Sequence, residues 1–361
     1  MNKGFLILLV TIILLLPGCG FKDIDKRFLV VAIGVDQGVE KKYNVTLKLI
    51  IPTTLTEPGK SNSQLVSMEA DSISEALELM RSQVDKQLDL GHAKVTIFGK
   101  SLAQKDITKH IDWFIRRRGV QRIEYIAVAE SNAKEILTTS SKSERLAGNS
   151  LILSFGHEGT ESSFIVSEYL YDFYERLLEK GRDPFMPVIK IKDNNYEINQ
   201  IALFDKKKIR LILDPNQTRI LNQLLYKRPD FEIRVIEEKL KFSLSVHKYH
   251  YRYQIHRSTQ GQPTIDFDVR IKGTAEESEE IFFHENWGEI EQVAEHFIEN
   301  AYLDLLTSMQ KMNLDPLGFG LRYMATQHEG DKEWEDWKSL YPQVKFNIKV
   351  KLILEGTGEI K

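Results

Sequence analysis

The chain has 361 residues, with 49 Lys and Arg against 52 Asp and Glu and a formal net charge of −3. That balance argues against a nucleic-acid partner, and against electrostatic adsorption to anionic lipid as the main means of attachment. Hydrophobic content of 42% and charged content of 28% belong to an ordinary globular chain, and a single cysteine excludes an internal disulfide.

Residues 1–18 read as an export signal: Lys3, then an apolar run from Phe5 to Leu16, then small residues before a cysteine. The run of 12 residues falls short of the roughly 20 that a spanning helix needs, so the segment reads as cleaved. Its end, Leu16-Pro17-Gly18-Cys19, resembles the bacterial lipobox, with Pro17 unusual at the variable position. Cys19 is then the lipid attachment site, its sulfur carrying diacylglycerol, and two acyl chains on one thioether give stable membrane attachment. The alternative is a secreted protein that carries a cysteine near its cleavage site. No second long apolar segment follows, and the remaining chain is long enough for two or three domains.

After a lead-in over residues 19–27, an α/β region is expected over 28–187, as two subdomains with a break near 131–160. Phe28 to Asp36 is nearly all apolar, as in a strand buried on both faces, and Tyr43 to Ile51 alternates, so the two form a hairpin. Pro52 to Gln64 reads as a surface loop. Ser72 and Glu75 form a capping-box pattern before a helix of about four turns through Leu88. Gly91 to Gly99 is a strand, Leu102 to Arg117 a helix, Ile123 to Ala129 a strand and Ala133 to Leu137 a helix. Ser163 to Glu179 reads as a helix with an aromatic stripe, stopped by Gly181 and Pro184.

Asp193-Asn194-Asn195 marks a turn and a boundary, and 196–361 is expected to form an antiparallel sheet with one long helix. Strands are predicted at Ile198 to Phe204, Ile209 to Leu213, Phe231 to Ile236, Leu240 to Val246, Tyr249 to Ile255, Thr264 to Ile271 and Val344 to Leu354. A helix is predicted from Asp214 to Tyr226. Ile290, Ala294, Ile298, Ala301, Leu305 and Met309 place a long helix with a broad apolar face against that sheet.

The chemistry-bearing residues form no catalytic or metal constellation. His92 stands alone at a strand entrance, and His247, His250 and His256 lack the cysteines or HExxH that a zinc site uses. Glu276, Glu277, Glu279 and Glu280 lack the spacing of a calcium loop, and Arg116 to Arg118 suit a helix C-terminus. There is no GxSxG and no phosphate loop, so no catalytic residue, metal or cofactor is assigned. Asp315-Pro316-Leu317-Gly318-Phe319-Gly320 ends the long helix abruptly. Leu317 and Phe319 are the candidate partner interface there, set against a structural role in which Phe319 tucks under the helix; glycines beside an aromatic favour the latter.

The lipobox, DIDKRFLVVAIGVD, GHAKVTIFGKSLAQ, AVAESNAKEIL, GRDPFMPVIKI, DPLGFG and a last strand ending Gly356-Thr357-Gly358 occur in that order. Together they resemble the Ger(x)C spore germination lipoproteins, the C subunits of GerA-type nutrient germinant receptors. Gly20, Phe21 and Lys22 stand where many members have a tryptophan and an aspartate. The resemblance implies an elongated, multidomain α+β protein without catalytic activity. It implies anchoring on the outer face of the spore inner membrane, and work with integral membrane A and B type subunits. A solute-binding lipoprotein of an importer and a lipid-anchored surface hydrolase are the alternatives. The first usually has two parallel α/β lobes, which the strand-rich second half does not match.

Overall fold

The structure is a computed structural model and describes Gly4 and residues 26–50, 63–139, 148–156, 162–237, 240–257, 262–278, 287–326 and 332–356. Cys19 and the cleavage motif lie outside the described residues, as do Glu279, Glu280 and the final Thr357-Gly358.

Nine strands make the first sheet: β1 (Arg27–Gln37), β2 (Tyr43–Ile50), β3 (Ser63–Ala70), β4 (Gln87–Asp89), β5 (Val95–Gly99), β6 (Tyr125–Ala129), β7 (Phe185–Lys192), β8 (Asn195–Phe204) and β9 (Ile209–Leu213). Their order is β3-β2-β1-β5-β6-β7-β8-β9, with β4 against the start of β1. The central β1-β5-β6-β7 pairings and the short β1-β4 one are parallel and the others antiparallel, and β1, with helices on both faces of the sheet, is buried along most of its length. Helices α1 (Ile73–Arg81), α2 (Lys100–Ala103) and α3 (Thr108–Arg116) cover one face; α4 (Ala133–Thr138) and α5 (Asn149–Leu153) cover the other.

Three helices are shorter than their periodicity predicts, each for a local reason. Helix α1 starts on Ser72, whose side chain accepts from Glu75 N–H, but it stops at Arg81, because Leu88 is drawn into β4 beside β1, where Arg27 pairs with Asp89 at 2.8 Å. The stretch from Leu102 to Arg117 breaks at Asp106, whose carboxylate accepts from Thr108 N–H and starts α3. Residues 163–168 are not helical. Asn222 takes the Ser163 and Ile165 carbonyls and Ile126 N–H takes that of Glu168, so the helix begins only at α6 (Leu170–Leu178).

The second sheet runs β10 (Phe231–Glu237), β11 (Leu240–His256), β12 (Thr264–Ser278) and β13 (Lys345–Gly356). Helix α7 (Pro215–Tyr226), begun by a capping box of Asp214 and Gln217, leads into it. One pairing departs from the antiparallel expectation: β13 lies parallel to β12. Between them run the long helix α8 (Trp287–Lys311), α9 (Phe319–Thr326) and α10 (Lys332–Leu340), and a return of that length places the last strand in the same direction as the first. The Asp193-Asn194 turn lies within the first sheet. Both residues have positive φ and close a hairpin between β7 and β8 of one sheet, so the change of sheet falls after β9.

Helix α8 buries Ile290, Ala294, Ile298, Tyr302, Leu305 and Met309 against the second sheet. It also covers the sheet's open edge. Glu291, Glu295 and Glu299, four residues apart and so on one helix face, accept from the N–H groups of Leu354, Leu352 and Val350 at 2.8, 2.9 and 2.9 Å. Those donors would otherwise form an unpaired strand edge.

Candidate functional site at the junction of the sheets

The segments GRDP and DPLGFG, far apart in sequence, meet between the two sheets. Gly181 has φ +76°, and its carbonyl accepts from Leu321 N–H at 2.9 Å. A Cβ on Gly181 would come within 2.4 Å of Leu321 N, and one on Gly320 within 2.5 Å of Trp337 Nε1 and 2.8 Å of Gly181 Cα. Two backbones therefore touch here, and only glycine permits that approach.

Charged groups hold the contact. Asp315 is buried and accepts from Gly318, Phe319 and Gly320 N–H at 2.9, 3.0 and 2.7 Å, which fixes the turn into α9. Burial pushes its carboxyl up to about 7, opposed by those three N–H groups. Asp183, before β7, is also raised by burial, and faces Lys206 at 3.6 Å. The Lys206 ammonium donates to the carbonyls of Arg176, Glu179 and Arg182, and burial lowers its pKa. Arg176 of α6 donates to the Pro316 carbonyl at 3.1 Å, lies 4.4 Å over the Phe185 ring, and approaches Glu168 at 2.9 Å. That last contact is close but poorly aligned as a hydrogen bond, and burial pushes Glu168 up to about 8.

The predicted partner-facing residues fall at this junction, and one of them is not free to face a partner. Phe319 is 1% exposed, its ring packed on Tyr253, Phe267 and Phe346 of the second sheet at centroid distances of 5.2, 5.9 and 6.1 Å. The Asp315 cap turns the chain inward there, which agrees with the structural role of Phe319 and not with an exposed anchor. Leu317 is half-buried against the same core. The loop joins the two sheets, and the Asp315 carboxylate there is taken up by backbone donors.

The other singled-out residues are dispersed. His92 is exposed, His247 contacts Thr274 at 3.1 Å, and His256 contacts Asp266 at 3.2 Å. Among the described residues no group of three or more His, Cys, Asp or Glu is placed to hold a metal ion. Arg116 pairs with Asp112 at 3.5 Å and Arg117 lies over Trp113, a helix-end cluster. Of the stripe, Phe173 is core, while Tyr169 is 39% exposed and stacks on Tyr125 at 4.8 Å. Sequence reasoning missed Glu168, Arg176 and Lys206, since a charge inside a helix pattern or a lysine-rich turn normally faces solvent. It also missed His110, a buried ring set edge-on to Tyr43 whose pKa is lowered by burial.

An α+β protein with two joined sheets and, among the described residues, no helix long and apolar enough to cross a membrane is the class that this geometry defines. Residues 20–191 match the family model described as the spore germination protein N-terminal domain, and residues 199–358 the one described as spore germination B3/GerAC-like, C-terminal. The chain is 22% identical to spore germination protein GerQC of Bacillus cereus, over 99% of this chain and 100% of that one. It is 19% identical to spore germination protein KC of Bacillus subtilis (strain 168), over 98% and 95%. The crystal structure of the GerBC protein superposes with a TM-score of 0.56 at 14% identity, over 89% of this chain and 96% of that one, a likeness of fold. The chain belongs to the Ger(x)C family of spore germination proteins. GRDP lies within the match to the N-terminal model and DPLGFG within the match to the C-terminal one, so the junction fastens the two matched regions together.

Proposed function

We propose that this protein is the lipid-anchored, non-catalytic C subunit of a nutrient germinant receptor. In this reading diacylglycerol on Cys19 holds it to the outer face of the spore inner membrane, where it works by contact with integral membrane A and B type subunits. Family membership supports the receptor role, and the observation that carries the attachment is the single cysteine of the chain at the end of a lipobox. The tightly fastened GRDP and DPLGFG loops suit a subunit that passes force or position between its two sheets as one body.

The attachment is tested with Cys19→Ala. The variant is expected to incorporate no labelled palmitate, to remain uncleaved or mislocalised, and to weaken germination. A variant that still carries the label contradicts the attachment.

A further inference from the structure

The outer face of the second sheet is unusually cationic. Along β11, β12 and β13 alternate side chains enter the core, and the remainder point away from α8. The register sets Lys248 opposite Lys272, and sets Arg270 between His250 and Lys351. Like charges directly opposite each other weaken a sheet, so folding alone gives no reason for this pattern. Part of the repulsion is relieved: Asp268 takes Arg252 at 2.8 Å and Arg270 at 3.4 Å, Glu355 takes Lys272 at 3.3 Å, and Glu295 takes Lys351 at 3.1 Å. Lys248 and Lys349 make no ion pair among the described residues. Arg252 and Arg270 are each 66% exposed, and a hollow of about 530 Å³ lies among Lys248, Lys272, Lys349 and Ile353.

Glu291, Glu295 and Glu299 of α8 stand at the edge of β13, where their carboxylates take its N–H groups, and Glu295 also reaches Lys351 of this face. The cationic layer does not resemble a protein-binding hot spot, which is anchored by aromatic residues and depleted of lysine. On these three strands Ile353, at 42%, is the one large apolar side chain that is exposed. An open array of Lys and Arg on aliphatic stems fits a plane of phosphate groups. On the lipid-anchor reading, on which this inference rests, the protein as a whole is held beside such a plane, since the stretch Gly20–Lys26 spans at most about 25 Å.

We propose that the outer face of β11, β12 and β13 docks on anionic phospholipid headgroups and so sets the orientation of the anchored protein on its membrane. The lipid anchor supplies the attachment and the face supplies the angle, which is compatible with a net charge too small and of the wrong sign to adsorb the chain unaided.

With Cys19 carrying lipid, Lys349→Cys provides the only free thiol of the full mature chain, and it takes a fluorescent label. The labelled lipoprotein is placed in vesicles of phosphatidylcholine alone or with phosphatidylglycerol, and quenching by neutral acrylamide is measured. Quenching is expected to fall about threefold in the anionic vesicles, to recover in high salt, and to stay high in neutral vesicles. A label at Val39→Cys, a position 94% exposed on the first sheet's side, should show no difference. Adding Lys248→Glu, which sets a carboxylate opposite Lys272, should sharply reduce the shielding without lowering the Tm. Equal quenching at position 349 in both vesicles overturns the proposal. So does shielding that appears only on addition of integral membrane proteins, which would assign the face to an acidic protein. Flotation with neutral vesicles reports the anchor separately: a chain that fails to float there, yet is shielded by anionic vesicles, lacks the anchor and keeps the face.

Discussion

Asp183 and Asp315 are bonded to each other twice. The Asp183 N–H donates to the Asp315 carbonyl at 2.8 Å, and the Asp315 N–H donates to the Asp183 carboxylate at 2.7 Å. The first residue stands before β7 of the first sheet and the second at the turn into α9, under the second sheet, so this one reciprocal pair ties the two layers of the protein together.

Asp315→Ala removes the acceptor of three buried N–H groups at once. An unsatisfied buried donor costs about 1–3 kcal/mol, so the loss should be roughly 3 kcal/mol or more in urea unfolding. Asp315→Asn keeps an acceptor oxygen and should lose clearly less. Equal losses for the two variants would mean that the cap does not hold the turn.

Gly320→Ala should destabilise by a comparable amount, because its Cβ would meet Trp337 and the Gly181 backbone. Gly181→Ala adds the strain of a positive φ. Phe319→Ala empties a site 1% exposed and should cost about 3–5 kcal/mol with a lower Tm. An unchanged Tm with loss of a binding partner would restore Phe319 as a docking residue.

The glutamates along α8 protect an edge. Glu295→Ala leaves Leu352 N–H without its acceptor, at a cost of about 1–3 kcal/mol, whereas Glu295→Gln retains a carbonyl oxygen and should cost less. Replacing Glu291, Glu295 and Glu299 together by Ala should expose the edge of β13 and produce concentration-dependent self-association in size-exclusion chromatography. A triple variant that stays monodisperse at all concentrations contradicts this role.

Glu124 gives the stability a pH dependence. It is fully buried, accepts from Thr96 Oγ1 at 2.9 Å, and is pushed up by burial to about 8 from an ordinary 4.5. Between those values the folded protein holds a proton that the unfolded chain has released, so the contribution of this group falls as pH rises through the window and is lost above about 8. Glu124→Gln keeps the Thr96 bond and removes the titration. It should raise the Tm at pH 8 and flatten the decline between pH 5 and 8, as followed by calorimetry. A variant with the slope of the unaltered protein would show that the decline originates elsewhere, Glu168 being the next group to test.

The elements with their own local signals were legible in the sequence. Phe28 to Asp36 is nearly all apolar and forms the doubly buried β1; Ser72 caps α1 and Asp214 caps α7; the apolar spacing from Ile290 to Met309 marks α8. What remained hidden was set by partners distant in the chain. The end of α1 depends on Leu88 pairing with β1, and the extended run at 163–168 depends on Asn222. The direction of β13 depends on where α8, α9 and α10 return the chain, since alternation is the same in parallel and antiparallel strands on a one-sided core. At the junction the motif residues were visible, but their use was not. Glycines at 181 and 320 announce a close approach without naming each other, and Arg176 is buried and Lys206 half-buried only because carbonyls from another loop receive them.

The central claim is that this chain works as one subunit of a membrane receptor, and purification from spore membranes with a tagged copy as bait tests it most directly. The account predicts that integral membrane A and B type subunits co-purify in fixed ratio from mild detergent, with the chain retained through its lipid at Cys19. Recovery of the chain alone from membranes in which those subunits are intact would contradict it.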